Sequence, residues 1–353
     1  MGMPMTTTVR WDHFPLVLEN QEARVWLTIQ ANLGRAPNTV EAYGRALQDF
    51  LAFAARHDVE PVTAEREHIA SYVHDLLTRP RPSRANVRVL DSGAGLANST
   101  LQQRLVAVRL YYDYLLEEGI RTDNPVGRGR YTPGLRFGGP HERGLVPRYQ
   151  KLPLIPTDDQ WQAVLKAAHV ESFRNRFMLA LAYDAALRRE ELCALEVADL
   201  DPAYRPIHVR AETSKSRRDR VVPYSEATGR LYGAYLGERR RLSSERGPLF
   251  RSDSDRNRAA PISRWTWSKV VHSLAMRADV PQFSTHTPRH LRLTDLARAG
   301  WDIHAIATFA GHRTIESTLH YIHLSGRELS TKLEQTMVGL HAERQRQLES
   351  LMG

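Results

Sequence analysis

The sequence has almost no cysteine. Cys193 is the single one in 353 residues, so neither a disulfide framework nor a cysteine-based zinc site can form, and a reducing compartment fits. Its neighbours Leu192, Ala194 and Leu195 mark it as a small buried hydrophobe. Long apolar runs are missing too. No stretch approaches the length of a membrane span, and Met1 to Arg10 lacks the apolar core of a signal peptide. There is no internal repeat and no low-complexity tract. These absences lead to the expectation of a soluble, cytoplasmic protein with no membrane partner.

Positive charge, by contrast, is in excess. Lys and Arg number 49 against 40 Asp and Glu, a formal charge of +9 with a pI near 9.8. A basic balance favours a polyanionic partner, nucleic acid before a membrane surface, without specifying a fold. The length suffices for two or three domains, each with its own core.

Apolar periodicity divides the chain. Residues 1–18 read as a loose leader. From Glu19 helical spacing takes over, with Val25, Trp26, Ile29 and Leu33 in a first helix and Tyr43, Leu47, Phe50, Leu51 and Ala54 in a second that starts at Pro37 and carries Arg45 on another face. A third helix, about 64–77, and a fourth, about 99–118, complete a helical domain over 19–126. Residues 127–156 hold five prolines interleaved with glycines and arginines, among them Arg128, Arg130 and Arg148. That composition marks an interdomain linker, suited equally to tracking a phosphate backbone or to forming a solvated hinge. A capping box, Thr157 with Gln160, opens a second domain over 157–325. It reads as mostly helical, with a hairpin between Ile207-His208-Val209 and Arg220-Val221-Val222-Pro223. A polar tail, 326–353, follows. The fold class is therefore mainly α with a small antiparallel β-sheet.

The stretch from His286 to Tyr321 has the groups that handle a phosphodiester. Arg289 can make two parallel hydrogen bonds to phosphate oxygens. His286 and His312 can donate to the same phosphate or move a proton near neutral pH. Tyr321 can attack phosphorus if its proton, with an ordinary pKa of about 10, is removed. Upstream, Leu187-Arg188-Arg189-Glu190-Glu191 sets an arginine after an apolar helix with a carboxylate three residues on, and Thr213-Ser214-Lys215-Ser216 sets a lysine in the hairpin turn. Arg217, Arg218 and Arg220 compete with Lys215, and any of them could merely touch backbone. His290, His320 and His323 read as packing or surface histidines.

In chain order this set is Arg, Lys, His-x-x-Arg, His, Tyr. That order and spacing resembles the tyrosine site-specific recombinases, the family of phage-type integrases, Cre and the Xer proteins. Residues 19–126, with Asn38-Thr39-Val40-Glu41-Ala42-Tyr43 and the helix leading into Asp123-Asn124-Pro125, look like that family's core-binding domain, and 157–325 like its catalytic domain. The resemblance implies a catalytic set of Arg188, Lys215, His286, Arg289, His312 and Tyr321. The two arginines would hold the scissile phosphate, and Tyr321 would form a 3′-phosphotyrosine. Lys215 would protonate the 5′ oxygen, His286 would accept the tyrosine proton, and His312 would hydrogen-bond the phosphate. Glu191 would support Arg188 without doing chemistry. Arg45, Arg128, Arg130, Arg148, Arg217 and Arg218 would contact DNA, with no metal and no cofactor. The implied partner is duplex DNA carrying a specific recombination site. On it the protein would be a homotetramer exchanging strands through a Holliday junction, and in free solution a monomer, with accessory proteins open. Two rival readings stand: a type IB topoisomerase-like nicking-closing enzyme, and a non-catalytic DNA-binding accessory protein. Ala186, where a glycine often precedes Leu-Arg, together with Pro288, Arg292 and Leu293, departs from the family pattern without removing a catalytic group.

Overall fold

The computed structural model describes residues 8–79, 95–127, 145–146, 154–319 and 321. By compactness the chain divides into two units, Met1–Lys151 and Leu152–Gly353.

In the first unit, α1 (Pro15–Glu19), α2 (Gln21–Asn32), α3 (Pro37–Arg56), α4 (Arg66–Thr78) and α5 (Asn98–Glu117) surround one apolar core. Asn20 caps α2 by accepting from the Ala23 N–H at 2.9 Å. Pro37 starts α3, where its missing N–H goes unneeded. Packed against α1, α2 and α5, α3 buries Val40, Leu47, Phe50 and Phe53. Trp26 stacks on Tyr43 at 5.5 Å and meets Tyr111 edge-on, which orients α2 against α3 and α5. Gly44 is needed for a close approach, since a Cβ there would sit 2.6 Å from the Phe14 ring.

That contact corrects the expected leader. Residues 8–18 are not loose: Phe14 and Val17 are buried in this core, and a turn of helix over Trp11–His13 leads into α1. Five residues are too few to show a helical period, so the element escapes pattern reading. Val146, assigned to the linker, likewise seats in the first core, with its carbonyl accepting from Gln102 Nε2 at 2.7 Å. Arg45 is exposed and paired with Glu41 at 2.8 Å. Arg128, Arg130, Arg148 and the tail 326–353 lie outside the described residues.

The second unit contains α6 (Asp158–Ala168), α7 (Phe173–Asp184), α8 (Arg189–Cys193), β1 (Pro206–Val209), β2 (Arg220–Pro223), α9 (Glu226–Leu242), α10 (Arg264–Arg277), α11 (Thr287–Arg298), α12 (Ile303–Ala310) and α13 (Glu316–Leu319). The Thr157–Gln160 capping box forms, with bonds of 3.0 and 3.2 Å. The strands pair antiparallel, Ile207 opposite Val222 and Val209 opposite Arg220. At the centre is α7, in contact with α8, α9 and α11. It buries Arg174, Asn175, Phe177, Met178, Leu179, Leu181, Ala182 and Asp184, so it has no single wet face, as expected of a helix enclosed by its neighbours. Phe177, Tyr235 and Phe250 form an aromatic cluster beside it. The fold is mainly α with one small two-stranded sheet. No helix among the described residues is long and apolar enough to cross a membrane.

Candidate active site

The site is built where α7 ends. The apolar pattern predicts a helix running to residue 187, but α7 stops at Asp184 and residues 185–188 form a turn. Ala186 sits there at φ 46°, a left-handed conformation that favours glycine. The turn aims the Ala186 carbonyl at Arg289, whose Nη1 donates to it at 2.5 Å, while Nη2 donates to the Ala310 carbonyl at 2.7 Å. Arg289, at the start of α11, is buried. Its pKa is lowered by burial first and by the charge of Arg188 second. Even so, a guanidinium stays cationic at neutral pH.

Arg188 is the residue on which α8 starts. Its Nη1 donates to Glu191 Oε1 at 2.7 Å, its backbone N–H to Glu191 Oε2 at 2.9 Å, and its Nη2 to the Gly311 carbonyl at 3.2 Å. Arg189 turns elsewhere, to Glu190 at 2.7 Å and the Ser268 hydroxyl at 3.2 Å. The Glu191 side chain is fully buried and shared with a third arginine, Arg220, which donates to both carboxylate oxygens at 3.1 and 2.7 Å. Burial pushes the Glu191 carboxyl up. The hydrogen bonds and charge of Arg220, followed by the charge and backbone N–H of Arg188, outweigh it and hold the pKa at about 2. Two guanidinium groups thus share one buried carboxylate with the buried Arg289 beside them, and the excess positive charge suits an anion.

Arg220 also donates from Nε to the Phe309 carbonyl at 3.2 Å, which fixes the end of α12. There Gly311 takes φ 62° as the helix C-cap, and a Cβ on it would meet Arg220 Nη1 at 2.9 Å. The next residue is His312. Its Nδ1 pairs with the Thr318 hydroxyl at 2.7 Å. Burial first, then Arg289, Arg188 and Arg220, push its pKa down to about 3, so the ring is neutral at pH 7. Its ring lies near-parallel to Tyr321 at 6.0 Å. Thr318 belongs to α13, and its carbonyl accepts from the Tyr321 N–H at 2.9 Å.

Tyr321 is buried, and its hydroxyl lies 2.7 Å from His290 Nδ1. Burial raises its pKa against the opposing pull of Arg289 and Arg188. The histidine on that hydroxyl is therefore not His286. His286 stands exposed at the start of α11, its ring 6.3 Å from that of His290. Lys215 is exposed in the loop between the strands. It is flanked by the buried Ser214 and Ser216, whose hydroxyls are 2.7 Å apart. Arg217 and Arg218 are exposed in the same loop, with Arg217 at φ 53°. A cavity of about 240 Å³ opens beside them, lined by Arg218, Arg220, His304 and His312.

Direct contacts thus link Arg188, Arg220 and Arg289 to the α12 terminus, with Glu191 between Arg188 and Arg220, and Tyr321 stacks on His312. Lys215 and His286 stand at the exposed margin. Three contributors escaped the reading of the sequence: Arg220, His290 and Thr318. Signals for two were present. Strand alternation turns Arg220 inward with Val222, and His286 and His290 are four residues apart, hence on one helix face.

A buried cluster of guanidinium groups with a tyrosine hydroxyl and neutral imidazoles defines a phosphodiester-handling site. Comparison with known proteins agrees. Residues 156–328 match the phage integrase family and 26–119 the phage integrase N-terminal SAM-like domain. Tyrosine recombinase XerD of Caulobacter vibrioides is 30% identical over 84% of this chain and 88% of its own length. Tyrosine recombinase XerC of Pelobacter propionicus is 28% identical over 88% and 92%. Among solved structures, XerH site-specific recombinase in a post-cleavage complex with palindromic difH shares the fold, with a TM-score of 0.66 at 14% identity over 94% of this chain and 90% of that one. The chain belongs to the phage integrase family and is a tyrosine recombinase, an enzyme that cleaves and rejoins DNA through a tyrosine.

Proposed function

We propose that the protein recombines duplex DNA at a specific site through a 3′-phosphotyrosine intermediate, serving integration, transposition or resolution of a mobile element. The observation that carries this reading is the Tyr321 hydroxyl, set beside the buried Arg289 and close to Arg188, which shares the buried Glu191 carboxylate with Arg220. In this account Arg188 and Arg289 bind the non-bridging oxygens of the scissile phosphate and offset the charge that grows in the transition state. Tyr321 attacks phosphorus, and Lys215 on its mobile stem protonates the departing 5′ oxygen. His312 donates from Nε2 to the phosphate, its Nδ1 being held by Thr318. Glu191 and Arg220 position Arg188. Because the covalent link conserves the phosphodiester energy, ligation is the reverse attack by a 5′ hydroxyl, and neither ATP nor a metal is consumed.

Residues 19–126 are read as the core-binding domain, 127–156 as a basic linker and 157–325 as the catalytic domain. Arg45, Arg128, Arg130, Arg148, Arg217 and Arg218 would contact the DNA backbone, and four protomers would synapse two sites and exchange strands through a Holliday junction. The relatives' names, which include XerC, XerD and XerH, support recombination over simple relaxation. The test is a supercoiled plasmid carrying two copies of the duplex site that the protein selects from a random-sequence pool. Recombinant circles are expected. Relaxation of a plasmid lacking the site, without exchange, would instead establish a nicking-closing enzyme.

A further inference from the structure

His290 is a group for which the mechanism above has no use, yet it lies within hydrogen-bond distance of the nucleophile. Its Nδ1 lies 2.7 Å from the Tyr321 hydroxyl, with the two rings 5.5 Å apart and inclined by 30°. The helix that carries it is held at the preceding residue, where Arg289 donates to the Ala186 and Ala310 carbonyls. His290 itself donates its backbone N–H to the His286 carbonyl at 3.0 Å. The imidazole is therefore fixed on a rigid turn, as a group that must hold a phenol in one orientation requires.

The neighbouring histidines are placed differently. His312 lies near-parallel to Tyr321 with Nδ1 engaged by Thr318. His286 sits one turn back on α11 and exposed. We propose that His290 is a catalytic residue, the group that orients the Tyr321 hydroxyl and accepts its proton during attack on the scissile phosphate. The inference rests on the recombinase reading, with Tyr321 as nucleophile.

A phenol that donates to Nδ1 requires the neutral tautomer with its hydrogen on Nε2. Burial, then the charges of His286 and Arg289, push the His290 pKa down to about 4, so that form is populated at neutral pH. Tyr321, Arg289 and His286 face the ring, while His312 and Arg188 act across the tyrosine. A base this weak does not deprotonate a resting phenol whose own pKa is raised. The proton therefore moves as the bond to phosphorus forms, when the phosphate brings negative charge beside Arg289 and relieves its pressure on His290. In the step, the O–H bond of Tyr321 breaks toward Nδ1, the tyrosine oxygen bonds to phosphorus, and the bond from phosphorus to the 5′ oxygen breaks. The 5′ oxygen takes a proton from the leaving-group acid. On ligation the imidazolium returns its proton to the phenolate.

The experiment uses the full chain on a nicked suicide duplex bearing the selected site, with the 5′ bridging atom either oxygen or sulfur. His290→Ala is expected to bind normally in a gel shift but to slow adduct formation by about 10²–10⁴-fold, equally on both substrates, because the defect lies at the nucleophile and not at the leaving group. Its rate should climb about tenfold per pH unit between pH 7 and 9 while that of the wild type stays nearly flat, since hydroxide then supplies the phenolate. His290→Asn keeps an oxygen near the Nδ1 position that can hold the phenol but cannot take its proton, so it should share the slow rate and the steep profile. Recovery of wild-type rate in the Asn variant would overturn proton transfer. Cleavage by His290→Ala within threefold of wild type, or the same slow, steep behaviour confined to His286→Ala, would overturn the assignment altogether. If the wild-type protein forms no adduct at all, the recombinase reading itself fails. If it does, only the role of His290 is at stake.

Discussion

Replacing Glu191 with Gln tests the charge cluster most sharply, because the shape of the side chain is kept while the charge that binds two arginines is lost. In the folded protein the carboxyl titrates at about 2 instead of its ordinary 4.5, a difference worth roughly 3 kcal/mol at about 1.4 kcal/mol per pH unit. The side chain is fully buried, so solvent does not discount the figure. It agrees with the roughly 3–5 kcal/mol lost when one partner of a buried pair is removed. The sign follows from the direction of the shift. A depressed folded pKa stabilises fully above pH 4.5 and loses that contribution as the pH falls toward 2. Glu191→Gln should therefore lower the melting temperature at pH 7 by about 6–12 °C, taking about 2–4 °C per kcal/mol for a cooperative unit of 150–250 residues. It should also flatten the acid limb of the stability profile between pH 4.5 and 2.5. Scanning calorimetry across that range measures both. A variant with the wild-type melting temperature and an unchanged acid limb would refute the claim that Glu191 holds Arg188 and Arg220 together.

Lys215→Ala should lose cleavage of ordinary DNA yet regain most of it on a sulfur-bridged substrate, since a thiolate leaves without a proton; Arg289→Ala should show little such rescue. Equal losses for Lys215→Ala on both substrates would assign that lysine a structural role. At Ala186, glycine removes a left-handed strain of about 1–2 kcal/mol but adds about 0.5–1 kcal/mol of backbone entropy and forfeits about 0.8 kcal/mol of buried methyl. Urea unfolding should therefore find Ala186→Gly within about 1 kcal/mol of wild type, and Ala186→Val less stable by roughly 1–3 kcal/mol. Truncation after Ser325 removes Leu329, Leu333, Met337 and Leu340, which recur at helical spacing. If that apolar stripe docks on a neighbouring protomer, the truncated protein should bind one site in a gel shift but fail to assemble on two in analytical ultracentrifugation. Full synapsis without the tail would show that the tail does not join protomers.

Local chemistry made much of this architecture readable in advance. Pro37, the Thr157–Gln160 box and the two apolar strand runs each announced an element that formed, because each signal acts within a few residues. The short helix over Pro15–Glu19 was hidden, since its burial depends on Phe14 meeting Gly44, a contact distant in sequence. The turn at Ala186 was flagged by an alanine standing where glycine is favoured, but its positive φ comes from the tertiary demand that its carbonyl meet Arg289. Residues of the site were recognisable where their chemistry is carried by type and order, as with Arg188 and Tyr321. His290 and Arg220 were not, because what distinguishes them is direction. One is turned toward a hydroxyl 31 residues away and the other toward a carboxylate 29 residues away.

As the nucleophile, Tyr321 is expected to become covalently joined to DNA. That link is tested most directly by trapping the adduct on a nicked suicide duplex, digesting it with trypsin and nuclease, and locating the modification by mass spectrometry. Tyr321 is the sole tyrosine of tryptic peptide 314–327. A 3′-phosphonucleotide is expected on that peptide, with no adduct from Tyr321→Phe, whose site binding is retained. A nucleotide on any other peptide, or an adduct that survives in Tyr321→Phe, would contradict Tyr321 as the nucleophile.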